Sequence, residues 1–256
     1  YVFSGNKVSE MHLAMNGTMA KLASPLNYLY YVYRINQLRA YYDKHSRAVD
    51  YSRPYVYFAL HCDPGRATQT EGGVFEDQYL AIKILSKSLP EGWQIYVKEH
   101  PRQFEISHLA IKQMHYRKLN DYEEINKLSN VNFINIEEKS DQIINDASLV
   151  ATITGSVGWQ ALLAGKQCIS FGVPWYASCN SCHIVKTLND CSTAFGECVK
   201  STLDDVKQDV LRFVHYLHPE MIVGSTRAVF AELSSRSYHE LLTSLTDEFE
   251  KKTNKS

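Results

Sequence analysis

Between residues 54 and 172 the sequence alternates short apolar runs with helix-length amphipathic ones, and this alternation limits the fold more than any other feature. The apolar runs are YVYFAL (55–60), WQIYVK (93–98), VNFINI (131–136), SLVATIT (148–154) and QCISFG (167–172). Between them, residues 75–89, 117–128, 140–147 and 156–165 read as helices. Ser140 is the expected N-cap of the third, and Gly165 closes the fourth. Strands and helices in this order predict an α/β fold, a Rossmann-like parallel sheet with helices on both faces.

The flanks read differently. From Pro25 to Arg47, Tyr31, Ile35, Leu38 and Tyr42 recur at helical spacing. Ser52-Arg53-Pro54 then breaks the pattern. This predicts a helical N-terminal segment and linker over 1–53 and a Rossmann-like domain over 54–256. Beyond Pro174 the strand signal fades, and residues 203–217 and 226–250 read as C-terminal helices. The tail EKKTNKS reads as frayed.

Composition removes some function classes. There are 27 Lys and Arg against 28 Asp and Glu, for a formal charge of −1. Nucleic acid is therefore not an expected partner. The six cysteines are Cys62, Cys168, Cys179, Cys182, Cys191 and Cys198. No leader pattern precedes them, and no apolar run reaches the ~18 residues of a membrane span. They are expected to be reduced thiols of a cytoplasmic protein, sitting in a mobile loop. On that expectation the sequon Asn16-Gly-Thr18 carries no sugar. CNSCH (179–183) matches a haem-attachment pattern and the cysteine count suggests zinc. Haem attachment implies export, however, and the second cysteine pair is spaced too widely for zinc. No cofactor or metal is expected. The aromatic and basic helix at 28–47 suggests peripheral contact with an anionic membrane face, but packing between domains explains it better. The chain opens on Tyr1, so it is read as a piece of a longer polypeptide.

In open parallel sheets, ligands bind outside the carboxyl ends of the strands. Those ends deliver His61 with a Gly-containing loop to Gly73, then Lys98-Glu99-His100-Pro101-Arg102, then Thr154-Gly155-Ser156, then Gly172-Val-Pro-Trp175-Tyr176. The third group is a tight turn into a helix N-terminus, whose open N–H groups and partial positive charge favour a phosphate. Gly155 is expected to permit the turn, and Thr154 and Ser156 to add hydroxyls. His100 would add a hydrogen bond, either as a cation or as a neutral N–H donor, with its ring aimed by Pro101. Lys98 and Arg102 would add positive potential. Glu99 reads as a surface salt-bridge partner of Lys98.

YFALHCDPGRATQTEGGVFEDQ, LPEGWQIYVKEHP and ATITGSVGWQALLAGKQCISFGVPWY together resemble capsular polysaccharide biosynthesis proteins, which include the Kdo-transferase-like glycosyltransferases of bacterial surface glycans. The likeness covers about residues 54–176. It implies a GT-B type donor-binding domain, with the acceptor-side half reduced to the N-terminal segment. It also implies a His-Pro element that contacts the donor phosphate, matched by His100-Pro101, and a phosphate-holding turn matched by Thr154, Gly155 and Ser156. Gln160 stands where several such enzymes place a ribose-binding glutamate. The implied reaction transfers a CMP-activated sugar, Kdo or a related ulosonic acid, to a glycan or glycolipid acceptor. Two alternatives remain open at this point: a CDP-polyol phosphotransferase of teichoic-acid type, and a non-catalytic nucleotide-binding module of a capsule assembly complex.

Overall fold

The computed structural model of the chain describes residues 25–63, 65, 68, 71–105, 117–218 and 237–253. The N-terminal stretch with its sequon, parts of the loop after the first expected strand, the first half of the helix expected at 226–250 and the last three residues lie outside the described residues. Described residues up to Val210 form one compact unit, and those from Leu211 onward form a second.

In the first unit the described strands form one seven-stranded sheet. They are β1 (Ser46–Arg47), β2 (Tyr55–Ala59), β3 (Gln94–Lys98), β4 (Val131–Ile134), β5 (Leu149–Thr152), β6 (Cys168–Ser170) and β7 (Cys182–Ile184). Their spatial order is β1-β4-β3-β2-β5-β6-β7, and every pairing is parallel. With the short edge strand β1 set aside, counting from β2 gives the 3-2-1-4-5-6 order of dinucleotide-binding folds. The α/β reading therefore holds.

The helices are α1 (Pro25–His45), α2 (Gln78–Ser88), α3 (Leu119–Asn126), α4 (Ser140–Asp146), α5 (Ser156–Leu163), α6 (Leu188–Cys198), α7 (Leu203–Leu217) and, in the second unit, α8 (Tyr238–Thr253). Alternation along the strands sorts side chains to two faces. Val56, Phe58, Ile95, Val97, Phe133, Ala151 and Ile169 join α1, α2, α3 and α6 in one core. Tyr55, Tyr57, Tyr96, Ile134 and Val150 join α4 and α5 in the other. Strands buried on both faces in this way are expected of an all-parallel sheet.

Helix α1 buries Tyr31, Ile35, Leu38 and Tyr42, the four positions picked out by spacing. It packs on α3 and β4 and runs directly into β1, within the same compact unit as the sheet. The Tyr42 hydroxyl donates to the Ile134 carbonyl at 2.6 Å and accepts from the Glu99 amide at 2.9 Å. One side chain thus ties together the ends of β3 and β4.

Two expectations fail in informative ways. The cysteines do not sit in a mobile loop: Cys168 and Cys182 are register partners on β6 and β7, and Cys191 lies buried on α6. Helix α6 forms because Thr187 and Asp190 build a capping box, with Asp190 N–H donating to Thr187 Oγ1 at 3.2 Å and Thr187 N–H to Asp190 Oδ2 at 2.9 Å. Ser140 is not an N-cap. It lies inside α4, and its hydroxyl serves Lys98 instead.

Replacing Tyr42 with Phe would leave a buried amide and a buried carbonyl short of a partner. We expect a loss of ~1–3 kcal/mol, read as a lower urea midpoint with unchanged slope.

Candidate functional site

The chain reverses its direction of sheet building between β2 and β5. From β2 it adds strands to one side, and from β5 to the other. A crevice opens at such a switch point, outside the carboxyl ends of the two strands. The residues there are His61 after β2 and Thr154-Gly155-Ser156 after β5.

These two ends touch. His61 Nε2 lies 3.0 Å from Thr152 Oγ1 and 3.4 Å from the Thr154 amide, which donates to it. The Gly155 amide donates to the same Thr152 hydroxyl at 3.1 Å, and with Nε2 accepting from the Thr154 amide the hydroxyl is the donor to His61. With Nε2 accepting, the neutral ring carries its proton on Nδ1. Burial drives the His61 pKa down to about 4, so the ring is neutral at pH 7.

Helix α5 begins at Ser156 with Gly155 as its N-cap, and no side chain caps it. Gly155 has φ −73° and ψ 154°, ordinary extended backbone, so glycine is not needed there for its conformation. It is needed for space: a Cβ would sit 2.7 Å from Thr152 Oγ1 and 2.9 Å from His61 Cε1. Tyr176, fully buried, donates from its hydroxyl to the Gly155 carbonyl and holds the turn from beneath. Ser156 and Gln160 are both exposed, four residues apart and so on one face of α5.

His100 stands at the end of β3, beside β2. Its Nδ1 accepts the Arg102 amide at 3.2 Å, capping the short 3-10 turn Pro101–Phe104 that Pro101 opens. That bond leaves Nε2 as the N–H donor of a neutral ring. Burial and then Arg102 hold its pKa below the ordinary histidine value. Of the two forms expected of His100, the neutral donor therefore fits the geometry. Strand spacing of about 4.8 Å puts the ends of β3 and β5 roughly 10 Å apart. His61, between them, is the histidine in contact with the β5 turn.

Beyond the last ladder bond, from Leu60 N–H to the Lys98 carbonyl at 2.9 Å, side chains take over from the sheet. Gln78 accepts from the His61 amide at 2.8 Å and donates to the His61 carbonyl at 3.1 Å. Gln103 does the same for Asp63, at 2.9 and 3.3 Å. Arg117, 5% exposed, donates to the His61 carbonyl at 3.0 Å and pairs with Asp63 at 3.2 Å and Glu99 at 3.0 Å. Glu99 accepts the His100 amide at 2.7 Å and the Tyr122 hydroxyl at 2.7 Å. Burial raises the Glu99 pKa against the pull of Arg117, Tyr122 and that amide. Burial likewise opposes the charge on Arg117, but Glu99 and Asp63 more than offset it and hold the guanidinium firmly protonated.

A sequence model of the capsule polysaccharide biosynthesis protein family matches residues 18–179, well over half of the chain. The chain belongs to this family. No curated protein matches its sequence. Among solved structures it is similar to two KpsC enzymes of Thermosulfurimonas dismutans. One is described as a beta Kdo 2,7 transferase (18% identity, 68% of this chain and 54% of that one, TM-score 0.39). The other is a beta Kdo 2,4 transferase (18% identity, 67% and 56%, TM-score 0.36). It is also similar to the UDP-GlcNAc 2-epimerase of Methanocaldococcus jannaschii (15% identity, 70% and 49%, TM-score 0.40). The chain spans about half the length of these structures.

The remaining expected residues of this capsule-family chain divide into two groups. Arg102 is exposed beside His100, and Gly73, at φ +57°, is exposed beyond Gly72, whose Cβ position would meet Ile153. Lys98 does not join the crevice. Its ammonium donates to the Glu138 carbonyl and to Ser140 Oγ at 3.1 Å, at the start of α4. Nor does it pair with Glu99, because successive strand residues point to opposite faces. That same rule, applied to the sequence, would have separated Lys98 from Glu99. Asp63, Gln78, Gln103, Arg117 and Tyr122 escaped sequence reading, since nothing in their spacing marks them as neighbours. Among the described residues, no group of three or more His, Cys, Asp or Glu side chains could hold a metal ion. Among them also, no helix is long and apolar enough to cross a membrane.

Two outcomes follow from this packing. Gly155→Ala should cost ~1–3 kcal/mol in a thermal or urea melt, because its methyl meets atoms of the pinned Thr152–His61 pair. The unfolded state binds a proton at His61 near pH 6.5, while the folded state resists until about pH 4. The His61 contribution to stability is therefore full above pH 6.5 and is lost as pH falls toward 4. A His61→Gln protein should show a flatter fall in melting temperature across that window than the parent.

Proposed function

We propose that the described sheet is the donor-binding part of a glycosyltransferase of bacterial capsule or surface polysaccharide biosynthesis. In this reading it takes a CMP-activated ulosonic acid such as CMP-Kdo, and the sugar passes to a glycan or glycolipid acceptor at the cytoplasmic face. Family membership supports the pathway. The observation that carries the choice of donor is the supply of neutral N–H donors at the switch point. His61 carries one ring N–H beside the uncapped start of α5, and His100 carries another at the end of β3, on the far side of β2. Lys98 is committed to Glu138 and Ser140, and Arg117 to Asp63 and Glu99. A single phosphate suits such a set, whereas a diphosphate calls for more cation than the described residues offer.

The chemistry assigned to these groups is electrostatic. As the bond between the anomeric carbon and the phosphate oxygen breaks, its electron pair moves onto the departing CMP. Nε2–H of His100 stabilises that charge by hydrogen bonding, assisted by the α5 amides, Ser156 and Thr154. Gln160, exposed one turn along α5, takes the ribose as a neutral partner in this reading. In this reading residues 1–53 are what is left of the acceptor-side half, although α1 and β1 pack with the donor sheet, and no residue is assigned as catalytic base.

The ligand test is thermal. CMP should raise the melting temperature more than CDP at equal concentration. A larger rise with CDP would move the protein to the CDP-polyol reaction, and no rise with either would remove nucleotide binding. In a polypeptide that also carries the acceptor-side half, His100→Ala should lower the transfer rate by about 10²–10³, the scale of deleting one preorganised donor. A loss of tenfold or less with intact folding would take His100 out of the central role.

A further inference from the structure

We propose that Arg117 is the positioning residue of this site: it fixes the two histidine-bearing strand ends relative to one another, acting through the His61 carbonyl on one side and through Glu99 on the other. The inference rests on the reading that His61 and His100 face a common anion, but its test does not require that reading to be right.

The need for such a residue follows from where the ladder stops. The last register pair of β2 and β3 is Ala59 with Lys98, and one more bond follows at Leu60. Past that point the backbone ladder between the two strands ends. Yet His61 and His100 lie beyond it, and a donor misplaced by about 1 Å loses most of its catalytic value. Gln78 braces His61 from α2. Gln103 braces Asp63 with its side chain and donates its amide to the His100 carbonyl at 2.8 Å, but it does not touch the His61 backbone. Arg117 bonds to both sides at once. Its Nη2 meets the His61 carbonyl and Asp63, while its Nε lies against Glu99 Oε2. The other oxygen of Glu99 accepts the His100 backbone amide. A continuous path therefore runs from the His61 backbone through the guanidinium and the Glu99 carboxylate to the His100 backbone.

The chemistry of the path favours positioning over anion binding. The guanidinium is 5% exposed and neighbours two carboxylates, so its charge is already matched. Its planar fork is what a lysine cannot reproduce, because an ammonium is a compact point charge without fixed directions. Nε is also the one buried side-chain polar atom, among the described residues, that lacks an aligned hydrogen bond. The contact with Glu99 is thus mainly coulombic, and the hydrogen bonds that direct Glu99 come from Tyr122 and the His100 amide.

The test separates holding the fold from aiming the rings. Nitrogen NMR of the ligand-free chain reads histidine tautomers directly. The parent should show His61 protonated at Nδ1 and His100 at Nε2, each as a single form. In Arg117→Lys, which keeps the charge, both histidines should show mixed tautomers, and the affinity for CMP should fall by about tenfold or more, as when a supporting partner of a preorganised site is lost. The double variant Arg117→Met with Glu99→Gln removes the Arg117–Glu99 pair whole and leaves Asp63 with its Thr68 and Gln78 bonds, and such neutral replacements commonly keep or regain stability. It should melt near the parent temperature and still show mixed tautomers. Unchanged tautomers in folded Arg117→Lys would overturn the proposal. So would a double variant that regains both stability and single tautomers, since Arg117 would then be structural only. If the parent fails to bind CMP while its variants lose their single tautomers, the nucleotide reading falls and the positioning role stands.

Discussion

A buried guanidinium between two carboxylates governs the working edge of this sheet. Backbone bonding aligns parallel strands only as far as the ladder runs, and the groups with useful chemistry come one or two residues later. The carbonyl and amide of His61, the amide of Asp63 and the amide of His100 are all met by side chains, from Gln78, Gln103, Arg117 and Glu99. Each would cost free energy if buried without a partner. The polar cluster therefore extends the sheet in side-chain form. It holds His61, Asp63 and His100 in place past the last ladder bond.

Much of the fold was legible because its cause is periodic. YVYFAL is apolar throughout and WQIYVK is apolar except at Gln94 and Lys98, as suits strands buried on both faces, and they appear as β2 and β3. Tyr31, Ile35, Leu38 and Tyr42 announced the buried stripe of α1. What escaped was short or dependent on context. Strands β1 and β7 have two and three residues, too few for a period to show, and exist because β4 and β6 offer them open edges. Helix α6 is signed by Thr187 and Asp190, a capping pair hidden among cysteines that drew attention to metals and haem.

The site was legible to a similar depth. Strand ends are predictable from strands, so His61, His100 and the Thr154–Ser156 turn could be named as edge residues. Which of them touch depends on strand order, and order is not written locally. The sequence reading paired His100 with the β5 turn, but β2 lies between β3 and β5, and so His61 makes the contact. The supporting cluster joins residues from Asp63 to Tyr122, brought together only by the completed fold.

The withdrawal of Lys98 toward Ser140 has a consequence for the company this edge keeps. With Arg102 as the exposed cation beside His100, an edge lined otherwise by oriented dipoles attracts anions mainly over a short range. Long polyanions, which bind by displacing counterions from many sites at once, gain almost nothing from it. Such an edge discriminates mainly by shape at close quarters, and the background electrolyte acts on it through Arg102 and the open start of α5.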